Sequence, residues 1–186
     1  SRHYAAGYGC PAVMEPDGTL RDATIEDYIK FAKIIHQSPV FKINGGILAQ
    51  PGEVEADLAS LAMVYAAMLH SDTCLFIVPE TGDKYMQLME LCAALWGGKE
   101  EFVKERRTMT MISTLSPLQL DKMALDSIML CAEYGQAMMI SPGPMAGATG
   151  PVTLAGDVAL GNAACLVGLV LAPLVKPGTA GMYGLQ

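Results

Sequence analysis

Residues 140–156, ISPGPMAGATGPVTLAG, concentrate the residue types and spacing from which chemistry could be built. The apolar run 137–140 reads as a buried strand and leads into a loop dense in Gly and Pro. The loop then enters a long apolar helix. Pro151 is expected as its first residue, since the first helical amide has no partner and proline has no N–H to leave unpaired. In parallel α/β proteins, ligands sit at such strand-to-helix junctions. Gly143, Gly147, Gly150 and Gly156 would let the backbone approach something large and flat. The same glycines also suit a tight turn that needs positive φ and no ligand. The spacing Gly143-xxx-Gly147-xx-Gly150 is only loosely like a dinucleotide fingerprint.

Other chemistries find little support. The five Cys (10, 74, 92, 131 and 165) include no CxxC pair, and read as reduced core thiols of a cytoplasmic protein. His3, His36 and His70 are scattered, with no ligand cluster, so no metal site is expected. A net charge of −7 argues against a nucleic-acid partner. With 52% hydrophobic and 17% charged residues, strands and helices should be covered on several sides. Thirteen Met suggest an adaptable apolar interior or interface. Residues 158–175 carry no charge and are long enough to raise the question of a membrane span. Gly161, Asn162, Gly168 and Pro173, with no aromatic belt or basic flank, favour a buried helix of a soluble protein and no membrane.

The elements that would position the loop alternate. A short strand is expected within 4–14, then a turn at Pro16-Asp17-Gly18. Thr24 reads as an N-cap, with Asp27 three residues on, for a helix to about Gln37 that places Ile25, Tyr28, Ile29, Ala32 and Ile35 on one face. A strand over 40–48, broken by Gly45-Gly46, precedes a helix from about Glu53 to Leu69. A strand over 74–78 precedes a helix capped by Thr81 or Asp83 and running to Trp96. A strand over 108–114 precedes a helix opened by Ser116-Pro117 and running to about Tyr134. The strand 137–140, the glycine loop, a helix to about Leu171 and a strand over 180–183 complete the order. Such β-α alternation without a GxGxxG motif favours a TIM (β/α)8 barrel over a Rossmann sheet. A full barrel takes about 250 residues, so about half to two-thirds of one is expected over 1–186, as a single domain truncated at both ends. Open strand edges would then need cover, and a homo-oligomer is one way to supply it.

The residues Pro144-Met145-Ala146-Gly147-Ala148-Thr149-Gly150-Pro151-Val152-Thr153-Leu154-Ala155-Gly156, then Gly161-Asn162-Ala163 and Leu171-Ala172-Pro173-Leu174-Val175-Lys176-Pro177-Gly178, resemble the trimethylamine methyltransferase (MttB-like) superfamily. Ser116-Pro117-Leu118 and the early Gly9-Cys10-Pro11 fit the same family. The resemblance spans nearly the whole chain. It implies a TIM barrel that moves a methyl group from a methylated amine to the cobalt of a corrinoid protein. One branch carries pyrrolysine and uses trimethylamine; another lacks it and uses quaternary amines such as glycine betaine. The pyrrolysine position would fall beyond Gln186, so both branches stay open, with the betaine type expected. A non-catalytic barrel fragment that binds a methylated amine or a protein partner is the alternative.

The implied substrate is a cation in a dry pocket, best held by aromatic faces and polar groups at the C-terminal ends of strands. Tyr8, Asn44, Glu80, Thr114 and Ser116 are the substrate-binding candidates. Each has a plainer reading: Tyr8 as a packed turn residue, Asn44 as a turn former, Glu80 as a helix-start carboxylate, Ser116 as an N-cap. Tyr183 reads as core. Gly143, Met145, Gly147, Ala148, Thr149 and Gly150 are the corrinoid-facing candidates, with a core anchor as the plainer reading of Met145. No catalytic residue is assigned. The corrinoid (cobalamin) would arrive on the partner protein, and no cofactor is expected on this chain itself.

Overall fold

The computed structural model describes residues 3–184. They form an α/β structure that divides between Val78 and Pro79 into two compact units. The first contains β1 (Tyr4–Ala5), β2 (Ala12–Met14), β3 (Leu20–Asp22), α1 (Ile25–Gln37), β4 (Phe41–Ile43), α2 (Ala56–His70) and β5 (Leu75–Ile77). The second contains α3 (Gly82–Leu95), α4 (Lys99–Phe102), β6 (Thr108–Ile112), α5 (Lys122–Glu133), β7 (Ala137–Ile140), α6 (Leu154–Val175) and β8 (Gly181–Tyr183).

In the first unit β1 pairs parallel with β4, and Ile43 bridges to Cys74 in the parallel sense just before β5. The expected turn at 16–18 is present, and it closes an antiparallel hairpin of β2 and β3. Gly18 supplies the positive φ of +88°, and the Asp17 carboxylate accepts from Thr19 N at 2.9 Å. The capping box of α1 forms as its sequence requires: Asp27 N donates to Thr24 Oγ1, and Thr24 N donates to Asp27 Oδ2. Asp27, Tyr28, Ala32 and Ile35 are its buried residues, and Ile29 is half-buried.

Asp27 is buried because Arg21 reaches it. Nη1 donates to Oδ2 at 2.6 Å and Nη2 to Oδ1 at 2.9 Å, while Nε donates to Glu15 Oε1 at 2.6 Å. These bonds, with the Thr24 hydroxyl and amide, hold the Asp27 carboxyl well below its ordinary 3.8. A depressed carboxylate stabilises the fold above its unfolded pKa and loses that contribution as pH falls. Arg21→Gln should therefore lower the urea midpoint at neutral pH, and the gap to the parent should narrow from about pH 5 downward. An equal gap at pH 7 and pH 2.5 would dismiss the ion pair as the cause.

In the second unit β6, β7 and β8 run parallel, with Ile112 opposite Ile140 and Ile140 opposite Tyr183. The connection from β7 to β8 is α6, so β7-α6-β8 is a parallel crossover unit. Gly168 lets α6 lie close on the sheet, since a Cβ there would stand 2.8 Å from Ile140 side-chain carbons. The expected burial of this helix on several sides is overturned. It buries a stripe of small residues (Gly161, Ala164, Cys165, Gly168 and Ala172), while Leu154, Leu166, Val170 and Leu174 are exposed. By length and composition alone α6 could cross a membrane, yet its stripe is packed on β7 as a crossover helix requires.

Several boundaries differ from expectation for local reasons. Helix α5 starts at Lys122 with Asp121 as its cap, accepting from Ala124 N at 2.7 Å, not at Ser116-Pro117. Residues 115–119 instead form a turn closed by Leu115 and Gln119 in both directions at 2.9 Å. Helix α6 starts after Thr153, whose hydroxyl accepts from Gly156 N, not at Pro151. It also continues through Pro173 to Val175, because only one helical bond is lost there. The 40–48 strand ends at Ile43, where Asn44 and two positive-φ glycines turn the chain. The short helix α4 carries no periodicity strong enough to announce itself.

Candidate functional site

The parallel register of β6, β7 and β8 brings their C-terminal ends to one edge. Ser141 N donates to Ile112 O at 2.9 Å, and Gly184 N to Ile140 O at 3.2 Å. Thr114, Ser141 and the glycine loop therefore leave the sheet from the same end. The loop is held by its own backbone. The Met145 carbonyl accepts from Ala148, Thr149 and Gly150 amides at 3.0, 3.1 and 3.0 Å, and Met145 N donates to Thr149 Oγ1 at 2.9 Å. Gly147 takes φ +77°, a conformation that a side chain resists.

Two features make this loop a surface rather than a core anchor. Gly143, Ala146, Gly147 and Ala148 are exposed and present nothing larger than a methyl group. Met145 beside them is 61% exposed, which overturns its reading as a core anchor. A Cβ on Gly147 would meet nothing closer than Val152 Cγ2 at 3.8 Å. At Gly150 the reverse holds, since a Cβ would stand 1.9 Å from Asp157 Oδ1. That buried oxygen has no hydrogen-bond partner among the described residues. Asp157, in the first turn of α6, thus packs against the loop and reserves position 150 for glycine. No role for Asp157 follows from the sequence; its one local signal is an acidic residue in a helix's first turn, which is common.

Thr114 is buried, and its Oγ1 likewise lacks a partner among the described residues. It lines a cavity of about 90 Å³ with Leu118, Gln119, Leu120, Ala164 and Val167. Ser116 is half-buried in the neighbouring turn and caps no helix. Glu80 is half-buried, and its backbone is fixed by Ser127, whose hydroxyl accepts from Glu80 N at 3.3 Å and donates to Glu80 O at 3.1 Å. Tyr183, placed in the core by expectation, is 48% exposed, and its hydroxyl donates to Asn162 Oδ1 at 3.1 Å. Among the described residues, no group of three or more His, Cys, Asp or Glu gathers as metal ligands. None of the five cysteines is in a disulfide, and burial pushes the thiols of Cys92 and Cys131 up to about 12.

In the first unit, Tyr8 follows β1 and Asn44 follows β4. Tyr8 is half-exposed and meets Phe76 edge to face at 5.9 Å between ring centroids. Asn44 is 1% exposed and largely committed to the fold. Its Oδ1 accepts from Gly46 N at 2.9 Å and Phe76 N at 3.3 Å, and its Nδ2 donates to Tyr28 Oη at 3.4 Å. The turn needs Gly45, at φ +88°, because a Cβ would stand 2.7 Å from Ala6 O. Asn44→Ala would strand two backbone donors, both buried, and should cost about 2 kcal/mol of stability by chemical denaturation. A loss below about 0.5 kcal/mol would show that water replaces the amide.

Comparison with known proteins follows the same outline. A family model described as trimethylamine methyltransferase (MTTB) matches residues 1–186. The glycine betaine methyltransferase of Desulfitobacterium hafniense (strain Y51) is 36% identical over 97% of the chain. The proline betaine:corrinoid methyltransferase of Eubacterium limosum is 27% identical over 95% of it. The trimethylamine methyltransferase MttB of Methanosarcina barkeri (strain Fusaro / DSM 804) is 32% identical over 58% of it. The chain spans 38%, 38% and 22% of these relatives' own lengths.

Proposed function

Because this chain belongs to the trimethylamine methyltransferase (MTTB) family, we propose that the complete gene product containing it moves a methyl group from a quaternary methylated amine, of which glycine betaine is the first candidate, to the cobalt of a corrinoid protein. One observation carries the substrate class. The relatives named for betaines match 97% and 95% of the chain, whereas the Methanosarcina barkeri trimethylamine enzyme matches 58%. The parallel strands of each unit and their intervening helices support reading the chain as part of a (β/α)8 barrel.

The chemistry suits a protein that offers position more than reactive groups. A quaternary nitrogen that loses a methyl becomes a neutral tertiary amine, so no proton has to be delivered to it. The corrinoid, carried by the partner protein, supplies the cobalt(I) nucleophile. This chain would hold the cation in line and exclude water. Thr114 offers a buried hydroxyl whose hydrogen-bonding capacity is unused among the described residues. The exposed small residues of the glycine loop let a flat macrocycle approach the strand ends, and the loop's internal bonds keep that surface from collapsing.

The test mixes the complete gene product with reduced cob(I)alamin and, in turn, glycine betaine, proline betaine, carnitine and trimethylamine, and follows methylcobalamin by absorbance. Transfer from one quaternary amine is expected. Transfer from trimethylamine alone would move the chain to the other branch of the family. No transfer from any of them, with the corrinoid protein also supplied, would leave a binding role and overturn the reading.

A further inference from the structure

The ends of β6, β7 and β8 opposite the glycine loop carry a second concave feature. The segments entering these strands, around 103–106, 135 and 176–179, enclose a cleft of about 480 Å³. Lys104, Arg106 and Lys176 line it together with Glu105, Gly135 and Thr179. This is an unusual concentration of positive charge. The whole chain has 12 Lys and Arg against 19 Asp and Glu, yet Lys104, Arg106 and Lys176 line this one cleft. Glu105 in the lining pairs with Arg107, and Glu101 pairs with Lys104, so Arg106 and Lys176 carry the charge the cleft can offer a ligand.

The cleft also has donors to spare. Arg106 spends one Nη2 bond on Gly178 O at 3.4 Å, of the five N–H groups a guanidinium carries. Lys176 Nζ donates to Glu133 O at 3.1 Å, of the three hydrogens an ammonium carries. Gly135, at φ +66°, keeps the floor open, because a Cβ there would lie 3.4 Å from Lys176 Nζ and 3.2 Å from Val103 O. The floor is stiff. Gln136 is fully buried and ties residues 102, 105, 107, 108 and 134 together through their backbones. Lys176 could serve only to neutralise helix-end carbonyls, but that does not account for Arg106, which comes from the segment before β6.

We propose that this cleft binds a small phosphate-bearing anion of the di- or triphosphate class. Two cations with donors to spare match a multiply charged anion better than a lone carboxylate, and a guanidinium fork suits phosphate oxygens. The volume is within the range of small-molecule sites. The inference is independent of the methyl-transfer reading, because it uses neither the glycine loop nor any substrate-binding candidate.

Titration of the full chain with pyrophosphate and with ATP, by calorimetry and by amide shifts of Gly135 and Gly178, tests it. Saturable binding that weakens at high salt is expected. Arg106→Gln and Lys176→Gln should each weaken it by about tenfold. Lys30→Gln, on α1 in the first unit, should leave it unchanged. No saturable binding, or equal weakening in all three variants, overturns the proposal. Succinate binding as tightly as pyrophosphate overturns the phosphate assignment. If circular dichroism shows Lys176→Gln to be unfolded, Arg106→Gln decides alone.

Discussion

Replacing Gln136 with leucine is expected to destabilise the chain by about 3–5 kcal/mol, the largest effect of any single side chain considered. Gln136 Oε1 accepts from Arg107 N at 2.8 Å and Thr108 N at 3.1 Å. Its Nε2 donates to the carbonyls of Phe102, Glu105 and Tyr134 at 3.0, 3.1 and 2.9 Å. Water can reach the exposed Arg107 and Glu105, but Thr108, Phe102 and Tyr134 are buried. Leucine is apolar and of similar bulk, so the cost falls on stranded backbone groups rather than on a cavity, at about 1–3 kcal/mol each. Gln136→Glu refines the test. It keeps the acceptor oxygen but turns the second oxygen toward three carbonyls, which disfavours the ionised form. A carboxyl whose folded pKa is raised destabilises increasingly as pH climbs past its unfolded value, so this variant should be weaker at pH 8 than at pH 4 relative to the parent. Urea midpoints by circular dichroism read both effects. A Gln136→Leu loss below about 1 kcal/mol would show that the network does not hold this end of the sheet.

Ala148→Trp should reduce methyl transfer by about a hundredfold or more in the complete gene product while leaving its thermal midpoint nearly unchanged. Ala148 is exposed on the glycine loop, so the indole meets solvent in the unbound protein. If the loop is the surface a flat macrocycle approaches, a bulky ring there holds the cobalt away from the methyl group. A displacement of about 1 Å already costs about a hundredfold when geometry is the main source of rate. Gly147→Val is a weaker test, because φ +77° at that position makes any β-branched residue strain the loop as well as crowd it. The experiment compares transfer with free cob(I)alamin and with the corrinoid protein. Unchanged rates with both would remove the loop from the macrocycle-facing surface. Loss with both is the expected result.

Sequence and structure agree best where chemistry is local. The Thr24-Asp27 capping box, the 16–18 turn and the strands near 75, 110 and 138 follow from residues a few positions apart. The family was legible for the same reason, since the run from Pro144 to Gly156 is contiguous. Disagreement clusters where two remote segments settle one position. Helix α3 starts at Gly82 because its amide donates to Asp126 Oδ2, 44 residues away, at 2.8 Å, while Thr81 caps nothing with its side chain. The turn-forming bond of Asn44 to Gly46 N was legible locally; its bonds to Phe76 and Tyr28, 32 and 16 residues away, were not.

The sequence by itself determined the β-α order and a glycine-dense loop between β7 and α6. These depend on periodicity, spacing and residue type, which local backbone preferences translate directly into elements. Only tertiary structure decided that the loop is a closed and exposed surface, that α6 buries a single stripe, and that Gln136 gathers five backbone groups. Those outcomes depend on which hydrogen-bonding groups meet across the sheet ends. A buried donor or acceptor must find a partner wherever the fold places one, and no sequence separation encodes that meeting.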